Sequence, residues 1–368
     1  MTVYLSMGYK MNLQYEHTFL GQLETLRRQN IGQNDLIEFS DYQAKILSSY
    51  QLEEPIVGPF YGYLKVTRTC NSHCVYCDHW KLPSNPIPST DELFQVIDNL
   101  HNIGTRHINL TGGEPLLRAD LSDLIEYAHK KEISVCLLTN GLLLPKRFEE
   151  LLEVELDAVI ISIDSINPGE FHQTRGVDLE LVMQGFYSLI EMKNKRPEMF
   201  GSVTSVITSV NLKSLFNLIE IANQHGIGVQ FSPYHCFQRD SYDRLSPTDD
   251  FINNQTIKKL IDMKNTHNLL DSEPFLSHFP AFFKSGLLPT GFECLASYLA
   301  AFIDVDLNVR PCWVMKPVGN LRESNLENIW SNQSFQAARK AIRQHQCPKC
   351  WLLCTAEPSI FMKYGAIE

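Results

Sequence analysis

The chain lacks a surplus of positive charge, a long apolar run and a glycine-rich loop behind its first strand. Its 368 residues carry a formal net charge of −10. That balance speaks against a basic nucleic-acid surface and a polybasic membrane patch. No run of about 18 apolar residues occurs, so no membrane span is expected. The opening stretch MTVYLSMGYKMNLQYEHTF has no basic segment ahead of an apolar core, so no signal peptide is expected. Together these absences predict a cytoplasmic protein without nucleic-acid or membrane partners. In a reducing compartment disulfides do not explain ten cysteines.

The cysteines are unevenly placed. Cys70, Cys74 and Cys77 form C-x3-C-x2-C within RTCNSHCVYCDHW, and Cys294, Cys312, Cys347, Cys350 and Cys354 lie toward the C-terminus. Short spacings in two groups read as two metal sites rather than a disulfide framework. Cys136 falls inside an apolar strand pattern and reads as a core residue. Cys236 stands apart, behind SPYH.

Between about residues 60 and 235 the pattern alternates. Strand-like runs at 62–68, 107–110, 133–141, 158–165, 201–208 and 227–233 are separated by helix-like segments such as STDELFQVIDNLHNIG and LELVMQGFYSLIEMKNK. Six strand–helix units predict a partial parallel (β/α)6 TIM-like barrel, of α/β class, with a small cysteine-rich α+β region behind it. The expected divisions are an N-terminal extension (1–58), the partial barrel (59–236), a bridging segment (237–290), a cysteine-rich domain (291–357) and a tail (358–368). Helix-like pieces are read at HTFLGQLETLRRQN and DYQAKILSSYQ within the extension. A doubly wound nucleotide-binding sheet would place glycines after the first strand, where this chain has cysteines. The polar loops TGGEP, TNG and SIDS follow successive strands, so one rim gathers the unusual residues.

Three thiols leave one iron of a four-iron cluster without a protein ligand, which suits a catalytic site. A zinc site completed by His73 or His79 is the alternative. The combination of C-x3-C-x2-C after the first strand with GGEP after the second resembles the radical S-adenosylmethionine (SAM) enzymes. That resemblance implies a 4Fe–4S cluster on Cys70, Cys74 and Cys77 that binds SAM and cleaves it reductively to a 5′-deoxyadenosyl radical. It also implies an external one-electron donor such as flavodoxin or ferredoxin. It assigns Tyr76 to the neighbourhood of adenine and Gly112, Gly113, Glu114 and Pro115 to the methionine amino group. Ser162 and Asp164 match positions that contact ribose or the methionine carboxylate, and Arg175 matches an arginine near the same site. Thr139 and Asn140 shape a turn.

The C-terminal spacing, C-x17-C-x34-C-x2-C-x3-C, resembles the twitch/SPASM extensions that hold auxiliary clusters. The resemblance implies one auxiliary 4Fe–4S cluster, on Cys294, Cys312, Cys347 and Cys350, with Cys354 able to replace one of them. The implied function is hydrogen abstraction from a small polar metabolite, such as a sugar, aminocyclitol or nucleoside, ending in oxidation or epimerisation. A peptide-modifying maturase is the second reading, and a non-catalytic iron–sulfur or zinc scaffold the third. Cys236 is a candidate hydrogen-atom donor to a substrate radical, and Tyr234 and His235 are candidate substrate contacts.

Overall fold

A computed structural model of the protein describes residues 33–83, 87–154, 156–235, 245–247 and 249–364. The helix read at HTFLGQLETLRRQN and the residue Cys236 lie outside them. The six expected strands form: β1 Tyr61–Thr67, β2 His107–Gly112, β3 Ser134–Thr139, β4 Ala158–Ser162, β5 Phe200–Ile207 and β6 Gly228–Pro233. Each pairs in parallel with the next.

Alternation decides which face each strand presents. Leu64, Val66, Ile108, Leu110, Val135, Leu137, Val159 and Ile161 are buried against the helices, in a core with Leu93, Val96, Ile97, Leu124 and Phe186. On the other face Lys65, Asn109, Thr111, Ser162, Thr204, Gln230 and Ser232 are half-buried, while Ala158, Ile160, Phe200 and Ser202 are buried. A parallel sheet with apolar residues on one face and many polar ones on the other leaves a lined interior. Local signals set the helices. Ser89 and Glu92 form a reciprocal capping box at the start of Thr90–Asn102, and Asn167 caps Pro168–Arg175.

The C-terminal region continues the same sheet. Strand β7, Ala300–Ile303, pairs in parallel with β1, and β8 Asn308–Arg310 and β9 Gly319–Asn320 follow antiparallel. The sheet order is therefore β6-β5-β4-β3-β2-β1-β7-β8-β9. At the other edge, the chain at 268–271 lies beside β6. Val229 donates its N–H to the Asn268 carbonyl at 2.9 Å, and Leu270 donates back to Val229 at 2.9 Å.

Of the residues read as a tail, 358–364 belong to a helix, Ala356–Tyr364. Pro358 falls in its first turn, where a missing N–H breaks no bond. Glu357 accepts the N–H and hydroxyl of Ser272, both at 2.8 Å. Ser359 accepts the Leu295 N–H at 2.9 Å, and the Met362 carbonyl accepts the Gln43 amide at 2.8 Å. This helix thus joins the β6 edge to the segment that leads into β7. The helix Gln33–Leu52 packs there too: Ile46 and Tyr50 share a second core with Tyr61, Phe302, Cys312 and Met362.

Burial pushes the Glu357 carboxyl up to about 7. A carboxyl that holds its proton longer when folded makes stability fall as pH rises from the unfolded value, about 4.3, toward about 7. Glu357→Gln keeps the contacts with Ser272 and removes that dependence. The variant should gain on the native chain by on the order of 3 kcal/mol across this window and hold the difference above it. Unfolding midpoints measured from pH 4.5 to 8 check this; a difference that does not change with pH contradicts it.

Candidate active site

The first cysteine loop is shaped by backbone before its sulfurs matter. The β1–β2 register shifts between Lys65 and Thr67, a bulge of the kind that redirects a strand end. Thr67 and Thr69 carbonyls then accept the Gly113 and Glu114 N–H groups at 2.7 and 2.8 Å. The approach is too close for side chains. A Cβ on Gly113 would stand 2.2 Å from the Thr69 carbonyl oxygen, and Gly112 sits at φ +145°. The two glycines therefore press the GGEP loop onto the cysteine loop. A second clamp comes from the helix Pro168–Arg175: His73 and Val75 donate to the carbonyls of Arg175 and Thr174 at 3.0 and 2.9 Å.

Donors face the thiols. The Ser72 N–H lies 3.5 Å from Cys70 Sγ and the Asn140 amide 3.9 Å from it. Arg175 Nη1 lies 3.9 Å from Cys74 Sγ. Burial pushes the Cys70 thiol up to about 11 and raises Cys74 as well. Thiolates therefore form here only with compensating positive charge from a metal.

The two acidic residues assigned to SAM are both fully buried and richly bonded. Glu114 is 0% exposed. Its oxygens accept from the Thr139 hydroxyl at 2.7 Å, the Asn140 N–H at 2.8 Å and the Leu116 N–H at 3.1 Å. Burial raises it to about 7. Glu114 thus ties the end of β3 to the loop after β2, and Thr139 and Asn140 do more than shape a turn. Pro115 begins the short helix behind it.

Asp164 is also 0% exposed. Arg175 grips it with two bonds of 2.7 Å, the Val206 N–H donates at 3.0 Å, and the Tyr76 hydroxyl donates as well. The Arg175 guanidinium stands 5.5 Å from the centre of the Tyr76 ring. Tyr76, Asp164 and Arg175 are therefore one buried network that fixes the cysteine loop from beneath. Of this group Ser162 remains half-buried on the inner face of β4.

The five C-terminal cysteines converge. Cys294, Cys312 and Cys354 each feel the charge of Cys350, and Cys350 that of Cys347. Burial raises the Cys294, Cys312, Cys350 and Cys354 thiols. His235, a candidate substrate contact, bonds the Lys349 carbonyl at 3.0 Å, between Cys347 and Cys350. Tyr234 is 6% exposed. Cys136 packs with Ala158, Phe200 and Leu270, as a core residue would.

Both donor sets suit an iron–sulfur cluster. They are all-thiol, and the first has N–H donors directed at sulfur, a feature that tunes such clusters.

Asp164→Asn leaves Arg175 buried without its counter-charge, a loss of about 3–5 kcal/mol for such pairs. The variant should unfold at lower temperature and bind SAM more weakly. Thermal unfolding and SAM titration check this. Native values for both would show that the network does not hold the loop.

Comparisons with known proteins agree with this geometry. The model of the radical SAM superfamily matches residues 64–224, and that of the SPASM iron–sulfur cluster-binding domain matches 294–352. A GTP 3′,8-cyclase of Limosilactobacillus fermentum is 32% identical over 180 residues, covering 46% of this chain and 53% of that protein. A probable GTP 3′,8-cyclase of Methanococcus maripaludis is 36% identical over 138 residues, covering 35% and 45%. The matches thus span about half the length of these curated relatives. Streptococcus suis SuiB bound to SAM shares the fold, at TM-score 0.65 and 16% identity over 87% of this chain and 77% of that one. The radical SAM domain implies a 4Fe–4S cluster and SAM, and the SPASM domain implies auxiliary iron–sulfur binding. The chain thus carries a radical SAM domain over residues 64–224 and, behind it, a SPASM iron–sulfur cluster-binding domain over residues 294–352.

Proposed function

We propose that this radical SAM enzyme abstracts a hydrogen atom from a small polar metabolite, a sugar, aminocyclitol or nucleoside, and that the outcome is oxidation or epimerisation. The observation that carries the reading is the inner face of the sheet. Asn109, Thr111, Ser162, Thr204, Gln230 and Ser232 line it, all half-buried, beside the cysteine loop. Half-buried polar groups orient a hydroxyl-rich ligand and exclude bulk water. The relatives named GTP 3′,8-cyclase support a nucleotide-sized ligand.

Within this reading Cys70, Cys74 and Cys77 hold the cluster that binds SAM. When bound, that group supplies a 5′-deoxyadenosyl radical after uptake of one electron from an external donor such as ferredoxin or flavodoxin. The chain does the rest. Gly112 and Gly113 hold the GGEP loop against the cysteine loop, and Glu114 and Asp164 fix the two clamps. Cys294, Cys312, Cys347 and Cys350, with Cys354 able to replace one of them, supply the ligands of an auxiliary cluster, and an electron taken from a substrate radical leaves through it. Oxidation needs that exit; epimerisation needs a hydrogen donor instead, the role proposed for Cys236.

The test is formation of 5′-deoxyadenosine by the reduced, reconstituted chain against a panel of nucleosides, nucleotides, aminocyclitols, sugars and peptides. Stimulation by a polar metabolite is expected, and Cys70→Ala should abolish it. Stimulation by peptides alone would replace this reading with a maturase. No cleavage of SAM under any condition would replace it with a scaffold. Once the substrate is found, Cys236→Ala should stop turnover of an epimerase; undiminished turnover would remove Cys236 from the mechanism.

A further inference from the structure

Lys65 is a charged residue in the middle of an otherwise apolar and aromatic strand, on its inner face. Its ammonium lies 2.8 Å from His79 Nε2 and 4.0 Å from the centre of the Trp313 ring. Among the described residues no carboxylate pairs with it: neighbouring Asp304 is engaged by Arg310 at 2.9 Å and by Asn308. A lysine enclosed without a carboxylate is costly unless another negative group compensates it.

Its two contacts indicate where that charge lies. His79 follows Cys77 by two residues, in the short helix that closes the first cysteine loop. Trp313 is the residue after Cys312 in the second group. The ammonium is within coulombic reach of Cys77 on one side and Cys354 on the other. The position follows from topology. β1 leads into the first cysteine loop and pairs in parallel with β7, whose hairpin leads to Cys312. Lys65 lies just beyond the last pair of that register, Leu64 with Ile303.

We propose that Lys65 is a positioning charge shared by the two cysteine sites, raising the reduction potentials of the clusters they hold. The inference rests on the reading that both sites bind iron–sulfur clusters. A positive charge held there stabilises the reduced, more negative state of each cluster, and charge near a cluster is a principal determinant of its potential. The indole of Trp313 keeps the ammonium in place through a cation–π contact.

The experiment is a redox titration of the full reconstituted chain, followed by electron paramagnetic resonance, on native protein and on K65R, K65M and K65Q. Iron is counted first in each. One cluster per native chain would defeat the underlying two-cluster reading, and the inference with it. With both clusters present, K65M should lower both midpoints and K65R should leave them near native. K65Q, neutral and polar, replaces K65M if the latter does not load both clusters. Unmoved midpoints in the neutral variants overturn the proposal. So does a shift confined to one cluster, and so does a K65R shift as large as that of K65M, which would make the effect one of packing.

Discussion

Strand β1 hydrogen-bonds in parallel to β2 on one side and β7 on the other. The pairing with β2 sets the GGEP loop against the cysteine loop. The pairing with β7 brings a hairpin from more than 200 residues away in sequence to the same wall. Two cysteine groups that share no local sequence thereby become neighbours. The helices Gln33–Leu52 and Ala356–Tyr364 pack over that junction. The C-terminal helix also reaches Ser272 at the opposite edge. The partial barrel is thus braced by segments outside its six strand–helix units.

The site is held from behind by buried charge. Glu114 and Asp164 are both fully buried. Each collects donors from two or three elements and secures a loop of the site. Buried carboxylates are tolerated when every oxygen has a donor. Arg175 meets this need for Asp164, and the backbone around Asn140 for Glu114. The thiols differ: burial raises Cys70, Cys74, Cys294, Cys312, Cys350 and Cys354. They are completed by a metal group rather than by protein, so the native fold anticipates its cofactor.

Much of the barrel was legible. Alternation and turn residues located the six strands to within a few residues, because each unit buries one face under its own helix. The cysteine triad and GGEP were legible for a different reason: spacing within one loop survives folding unchanged. Long-range placement was not. Nothing local in AAFI announces a parallel partner at β1, and Pro358 disguised a helix whose burial depends on distant Ser272 and Leu295. Burial was also hidden. The resemblance marked Glu114 and Asp164, but nothing local showed that each would be enclosed by donors from several elements. Lys65 was overlooked, although a lysine on the inner face of GYLKVTR was a signal that alternation alone could have raised.

The most direct measurement is iron and acid-labile sulfide per chain after anaerobic reconstitution. Two four-iron clusters, one on Cys70, Cys74 and Cys77 and one on the C-terminal cysteines, require about eight of each. About four of each would contradict the two-cluster architecture and leave the converging C-terminal thiols without an electron-transfer role.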